Sequence, residues 1–99
     1  MELKEIREHL DRLDNVIVLL LAERLSLISH VANYKLKNNI SRYQPDQEKE
    51  ILFKKGEIGK KYNLRKEYIE DIFKRIIEES HILEKKIMAK EAVTLTKPV

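Results

Sequence analysis

The 99-residue chain contains no cysteine and only two glycines and two prolines. Without cysteine it has neither a disulfide framework nor a thiolate metal site, which fits a reducing cytoplasm. The scarcity of glycine and proline leaves long stretches without a helix breaker, while hydrophobic and charged residues make up 42% and 37% of the chain. This composition is typical of an all-helical domain. We expect one such domain over residues 1–91 and a flexible tail over residues 92–99.

Long hydrophobic runs and blocks of like charge are also absent. The longest apolar run, from Val16 to Ala22, has seven residues and is too short to cross a bilayer. The polar N-terminus does not read as a signal peptide, so a cytoplasmic protein without a membrane partner is expected. The net charge of +3 comes from interspersed acids and bases, which disfavours nucleic-acid binding. His9, His30 and His81 share no ligand spacing and are predicted to be surface residues, so no metal site is expected.

One long amphipathic helix dominates the first half of the chain. Its apolar residues recur every three or four positions, as in a helical seam; they are Leu3, Ile6, Leu10, Leu13, Ile17, Leu20, Leu27, Val31 and Tyr34. The helix is predicted from Glu2 to Lys37, about 50 Å at 1.5 Å per residue, whereas a compact domain of this size is ~26 Å across. Because Val16 to Ala22 are apolar on every side, a second copy of the chain is expected to cross there.

Two further helices follow. Pro45 suits the first position of a short second helix, which fades near Tyr62, and Asn63 fits a left-handed stop. The third helix is predicted from about Arg65 to about Lys90. The fold class is therefore all-α, with a long, a short and a long helix in each chain.

Polar side chains interrupt the apolar stripes of all three helices. They are Arg24 and Lys35 on the first helix, Glu48 at the start of the second, and Ser80 and Glu84 on the third. A desolvated guanidinium costs several kcal/mol unless it meets an anion, so Arg24 faces either a carboxylate of the protein or an anionic ligand. Each interruption alone suits a registry or surface role, but five on three helices indicate a binding site for a small anion.

Arg7 indicates how that site is completed. It precedes Arg24 by seventeen residues, or about 25 Å along the helix, so one chain cannot apply both to one small ligand. Two first helices packed antiparallel about Ile17 bring Arg7 of one chain beside residue 27 or so of the other. The sequence thus predicts a two-fold homodimer with two sites. Each site holds a small polyanion by Arg24, Lys35 and Arg7 of the partner subunit, with Glu48 as a hydrogen-bond acceptor.

Several short segments form a recognisable pattern over residues 3–88. They are Ile6-Arg7, Leu13-Asp14, Leu21-Ala22-Glu23-Arg24, Val31, Lys35, Pro45-Asp46-Gln47-Glu48, Tyr68-Ile69, Phe73 and Ile76-Ile77-Glu78-Glu79-Ser80. Together they resemble the all-helical (type II) class of chorismate mutases. The resemblance implies an intertwined homodimer of three helices per chain. It also implies an isomerase that converts the dianion chorismate to prephenate, without a cofactor, in the shikimate pathway to phenylalanine and tyrosine.

The resemblance implies roles for individual polar residues as well. By this likeness Arg24 and the partner subunit's Arg7 bind the two carboxylates of the substrate, and Lys35 bonds a carboxylate and the ether oxygen. Glu48 takes the ring hydroxyl, and Ser80 supports the ring carboxylate. The reaction is a unimolecular pericyclic shift. Catalysis then comes from holding the folded substrate and from placing cations where negative charge grows.

Three positions depart from the family pattern. Many relatives read Asp-Pro-x-Arg-Glu where this chain has Gln44-Pro45-Asp46-Gln47-Glu48. Gln44 still offers a backbone N–H to the substrate, but Gln47 removes a cation near the site. Glu84, implied to face the ether oxygen opposite Lys35, replaces the glutamine common in bacterial relatives. An ionised carboxylate there repels the developing charge, so Glu84 must be protonated; we expect activity to fall as pH rises and Glu84→Gln to flatten that profile.

Two other interpretations stay open at this stage. An isochorismate pyruvate-lyase on the same fold shares the cationic cage, and Gln47 fits it, whereas Glu48, placed for the chorismate hydroxyl, argues against it. A non-catalytic helical dimerisation module is the alternative outside enzymes. The sequence also leaves open feedback regulation and docking to another shikimate-pathway enzyme.

Overall fold

Three α-helices make up the described part of the chain in a computed structural model. The structure describes residues 1–96, and of residues 91–96 the backbone only. The helices are α1 (Leu3–Lys37), α2 (Pro45–Lys61) and α3 (Lys66–Thr96), with no strand among residues 1–96. The predicted class and the bounds of α1 and α2 are confirmed. Helix α3 continues past its predicted end near Lys90 into the segment expected to be a tail, and residues 97–99 lie outside the described residues.

Asparagines end the first two helices. Asn39 has a φ of 54° and Asn63 a φ of 62°, the left-handed conformation that asparagine tolerates better than other non-glycine residues. Beyond Asn39 the chain turns back, and the Ile40 N–H donates to the carbonyl of Lys35 over 2.9 Å. Residues 38–44 thereby return to the C-terminal end of α1 before Pro45 opens α2 at its first turn. This return places the start of α2 beside the Lys35 end of α1.

Helix α3 packs against both α1 and α2, while α1 and α2 do not pack on each other within the described residues. The residues of α1 buried by this packing are Ile28 and Ala32. Leu27 and Tyr34, which the sequence assigned to the seam, remain exposed, so the stripe that meets α3 is rotated by one position from the predicted one. Arg24 lies four residues before Ile28 on this stripe, which brings a cation to the boundary with α3.

The N-terminal part of α1 is uncovered in the single chain. Every residue from 1 to 23 is exposed, including the apolar stretch predicted to be buried, where Val18 is 66% exposed. The described chain measures 66 Å along its longest axis, and its radius of gyration is 18.0 Å against ~13 Å for a compact domain of 100 residues. By length and composition alone, α1 is long and apolar enough to cross a membrane, although its longest uninterrupted apolar run has seven residues. A helix that pairs with another helix in water meets the same criterion.

Candidate active site

A cleft of about 290 Å³ opens where the C-terminal end of α1, the loop after it, the start of α2 and the middle of α3 meet. Its polar lining consists of Arg24, Lys35, Arg42, Gln44, Gln47, Glu48, Ser80, His81 and Glu84, and its apolar lining of Ile28, Val31, Ile51 and Ile77. Six of the seven site residues predicted from the sequence therefore line one cavity. The seventh, Arg7, lies elsewhere on the chain.

Lys35 and Glu84 form an ion pair between α1 and α3. The Lys35 Nζ donates to Glu84 Oε1 over 2.8 Å and to the Arg42 carbonyl over 2.9 Å. Only 13% of the Lys35 side chain and 4% of the Glu84 side chain are exposed, and charges so far from water need a partner of opposite sign. An ammonium has three donors, so Lys35 retains one for a ligand in the cleft.

Arg24 meets a hydroxyl and not a carboxylate. Its Nη1 donates to Ser80 Oγ over 2.5 Å, and Ser80 Oγ donates in turn to the Ile76 carbonyl over 3.1 Å. The sequence predicts that Arg24 faces either a carboxylate of the protein or an anionic ligand. No carboxylate lies within ion-pair distance of it among residues 1–90. The guanidinium is half-buried, and its charge is left for an anion that enters the cleft.

A chain of three side chains links the loop, α3 and α2. The imidazole Nδ1 of His81 lies 3.0 Å from Arg42 Nη1, and its Nε2 lies 2.5 Å from Glu48 Oε1. The tautomer of His81 that carries its hydrogen on Nε2 accepts from Arg42 at Nδ1, since guanidinium only donates, and donates to Glu48 at Nε2. The second oxygen of Glu84 is 3.4 Å from Nδ1. The imidazole of His81 thus lies among one cation and two acids of the cleft.

His81 and Arg42 are site residues that the sequence reasoning missed. The prediction that His81 is a surface residue is wrong, because its side chain is 22% exposed and lines the cleft. A signal was present: His81 lies four residues after the buried Ile77 and three before Glu84, so the three share a helical face. Arg42 stands in an irregular loop, where periodicity carries no information.

Gln44 and Gln47 lie at the entrance of α2. The Glu48 N–H donates to the Gln44 carbonyl over 3.2 Å, and neither glutamine side chain is buried. Glu48 stands in the first turn of α2, where the positive end of the helix dipole favours a carboxylate. A neutral amide, Gln47, thus lines the cleft beside the acid Glu48.

Arg7 lies far from this cleft within one chain. It lines an open depression on the exposed end of α1, together with Leu3, Lys4, Glu8 and Asp11. Seventeen residues of continuous helix separate it from Arg24, or about 25 Å. Among the described residues no hydrogen bond or ion pair engages its guanidinium.

The lining suits the binding of a small anion. Arg24, Lys35 and Arg42 bring three positive charges against the two carboxylates of Glu48 and Glu84. Within residues 1–90, no group of three histidine, aspartate or glutamate side chains is placed to hold a metal ion. What the arrangement can supply is fixed cations and hydrogen-bond donors around a half-enclosed space, which orient a charged molecule and stabilise charge that develops on it.

Comparison with known proteins gives a consistent result. Residues 6–85 match the family model described as chorismate mutase type II. The chain is 43% identical over 84 residues to a bifunctional chorismate mutase/prephenate dehydratase of Buchnera aphidicola, covering 85% of the chain and 22% of that relative. It is 34% identical over 87 residues to a chorismate mutase of Methanocaldococcus jannaschii, covering 88% of each. The T-protein of Haemophilus influenzae is 32% identical over 79 residues, which cover 80% of the chain and 21% of that relative. The chain spans about a fifth of the length of the bifunctional relative and of the T-protein.

Proposed function

The chain belongs to the type II chorismate mutase family, and from this premise we propose that it is an isomerase that converts chorismate to prephenate. The observation that carries the proposal is the position of Arg24, a half-buried cation whose one polar partner among residues 1–90 is the Ser80 hydroxyl. It lines a cavity together with Lys35, Glu48 and Glu84. Chorismate carries two carboxylates, and Arg24 meets no carboxylate of residues 1–90.

Binding in this cleft restricts the shape of the substrate. Chorismate is flexible, and the rearrangement requires its enolpyruvyl side chain to fold over the ring. In the proposed complex Arg24 binds one carboxylate, Ser80 supports the ring carboxylate, and the free oxygen of Glu48 accepts the ring hydroxyl. Holding the reacting atoms together in this way removes much of the entropic barrier of a unimolecular reaction.

Lys35 and Glu84 act on the ether oxygen in this proposal. Negative charge grows on that oxygen as its bond to the ring breaks, and a fixed donor there typically lowers the barrier by ~3 to 4 kcal/mol. Lys35 Nζ and Glu84 Oε1 are 2.8 Å apart. For both groups to bond the ether oxygen, which then lies between them, Nζ and Oε1 must separate to about 5 Å. This is slightly less than two hydrogen-bond lengths, because the two bonds meet at an angle. Glu84 then has to be protonated, so that it donates to the oxygen.

A second copy of the chain completes the site in our proposal. Helix α1 leaves residues 1–23 exposed, and the apolar positions Leu10, Leu13 and Ile17 are each more than half exposed. Two such helices packed antiparallel about Ile17 cover these positions in both chains. The same pairing brings Arg7 of the partner subunit level with residue 27, beside the Arg24 end of the cleft. The result is an intertwined two-fold homodimer with two shared sites.

The wider setting is part of the same proposal. A cysteine-free chain that acts on a metabolite without a cofactor fits the cytoplasm, and we place it there. The bifunctional relatives contain a second named activity in the length that this chain does not span. We further propose that the chain docks to a separate enzyme of the same pathway.

Product identification tests the proposal. Purified protein is given chorismate or isochorismate, and the products are separated and weighed by mass spectrometry. A mutase turns chorismate into an isomer of unchanged mass, whereas the lyase alternative releases pyruvate from isochorismate. Arg24→Ala should abolish the activity, and the exposed Arg65→Ala, which removes a cation outside the cleft, should not. If the wild-type protein is folded but turns over neither substrate, both enzyme functions are excluded and the non-catalytic dimerisation module is favoured.

A further inference from the structure

Arg42 is a cation of the cleft that has no role in the function proposed above. Its guanidinium is half-buried, and its Nη1 meets the imidazole of His81 at 3.0 Å. No carboxylate within residues 1–90 forms an ion pair with it. A guanidinium has five N–H donors, and an imidazole nitrogen occupies one of them. A partly desolvated cation with free donors beside a cavity binds an anion more strongly than a surface cation does.

The pairing of charges in the cleft also distinguishes Arg42. Lys35 is neutralised directly by Glu84 at 2.8 Å. Glu48 is bound by the imidazole of His81 and by no lysine or arginine of residues 1–90. Arg24 and Arg42 are therefore the two cations of this lining that meet no acid among those residues. The substrate in the proposed function brings two carboxylates, each with room for about four hydrogen bonds.

Arg42 is anchored at both its backbone and its side chain. Its carbonyl accepts a hydrogen bond from Lys35 Nζ over 2.9 Å, which ties the loop to α1. Its guanidinium is held by His81 on α3, whose other nitrogen holds Glu48. A loop cation with these two anchors loses less freedom when a ligand binds than an unrestrained arginine does. A substitution of the side chain leaves the backbone anchor of Lys35 in place.

We propose that Arg42 is a substrate-binding residue that supplies from the loop the cation that position 47 lacks, and that His81 is the positioning residue that orients it. Gln47 lines the same cleft with an uncharged amide, so position 47 contributes no positive charge to it. The proposal rests on the proposed function, because the ligand it assigns to Arg42 is a carboxylate of chorismate.

Steady-state kinetics with chorismate test the role of Arg42. We expect Arg42→Gln to lower kcat/KM by about 10- to 100-fold, the usual effect of losing a hydrogen bond to a charged group. The double variant Arg42→Gln/Gln47→Arg should regain most of the loss, because it returns a cation to the cleft from the neighbouring position. Arg65→Gln, an exposed arginine between α2 and α3, is the matched control and should keep wild-type kinetics. Circular dichroism and thermal unfolding verify that each variant is folded.

The outcomes separate this inference from the proposed function. If wild type does not turn over chorismate, the proposed function falls and the assignment of Arg42 falls with it. If wild type is active but folded Arg42→Gln stays within about three-fold of it, the assignment alone is overturned. The assignment is equally overturned if Gln47→Arg gives no recovery in the Arg42→Gln background, since a cation from position 47 then does not replace Arg42.

Non-additivity tests the role of His81. His81→Leu should lower kcat/KM in the wild-type background and have a smaller effect in the Arg42→Gln background, because the side chain that it orients is then missing. His81→Gln, whose amide can accept from Arg42 and donate to Glu48, should retain most of the activity. Equal losses from His81→Leu in both backgrounds would show that His81 supports the fold or Glu48 and does not position Arg42.

Discussion

Lys35 Nζ and Glu84 Oε1 lie 2.8 Å apart although 49 positions separate the residues in the sequence. This ion pair joins α1 to α3 at the cleft and is almost fully removed from water. In the proposed reaction the same two groups meet the ether oxygen, where Glu84 is required to donate. The pair therefore connects the protonation of one carboxyl group to the rate of the chemical step.

The first prediction concerns pH. In the proposed reaction Glu84 assists only as a donor to the ether oxygen, so the rate of the wild-type protein should decline over a series of buffers of rising pH. Glu84→Gln keeps a neutral donor at every pH and should flatten the profile. Initial rates over this range measure it, with Glu67→Gln on the exposed first turn of α3 as the control. A wild-type rate that does not change with pH contradicts the role given to Glu84.

The second prediction separates stability from activity at Arg24. Arg24→Leu places an apolar side chain on the stripe that meets α3, and Ser80 Oγ keeps its bond to the Ile76 carbonyl. We expect thermal unfolding at the same or a higher temperature. Turnover of chorismate should fall several-hundred-fold, as after removal of one fixed donor.

The comparison also tests the dimerisation module. A module without catalysis predicts that Arg24→Leu is stabilised and loses nothing that can be assayed. A clear drop in the unfolding temperature would instead show that Arg24 supports the fold.

The third prediction concerns the close approach of α2 and α3. A Cβ atom added at Gly59 would lie 2.7 Å from Cγ1 of Ile69, a β-branched side chain that cannot rotate away easily. Gly59→Ala should therefore destabilise the chain by about 1–3 kcal/mol through overpacking, despite the better helix propensity of alanine.

Gly56→Ala is the matched control for this prediction. Its Cβ would meet Cγ of Lys66 at 2.8 Å, so that side chain must also shift, but it is unbranched and partly exposed, and we expect a smaller loss of stability. Denaturant unfolding of both variants measures the difference. A Gly59→Ala variant as stable as the wild-type chain would contradict the close packing of Gly59 on Ile69.

The sequence predicts the helices well because their signals are local. Asn63 and Pro45 mark a helix end and a helix start through their own backbone preferences, and the structure confirms both. The packed face of α1 is less well predicted. Many apolar residues of α1 stay exposed in the single chain, so periodicity does not reveal that Ile28 and Ala32 are the ones that meet α3.

The residues of the candidate site likewise differ in how well the sequence predicts them. Arg24, Lys35, Glu48, Ser80 and Glu84 stand out because each is polar at a position where the helical pattern favours an apolar residue. Arg42 gives no such signal, since it lies in a loop. The spacing of the three histidines predicts a surface position for His81, whereas its neighbours on α3 place it at the cleft. Their importance depends on contacts between residues far apart in sequence.

The fourth prediction concerns the cleft that two chains are proposed to share through Arg7. Arg7→Ala and Arg24→Ala should each be inactive as separate proteins. After unfolding and refolding together in equal amounts, half of the dimers combine one chain of each kind. One of the two sites in such a dimer has both arginines, so about a quarter of all sites are intact.

The activity of the mixed variants tests most directly whether two chains share each cleft. Chorismate turnover should return to about a quarter of the wild-type rate, while either variant refolded alone stays inactive. Mixed dimers that form, as shown by tags on the two chains, and yet remain inactive would contradict a cleft completed by Arg7 of the partner subunit.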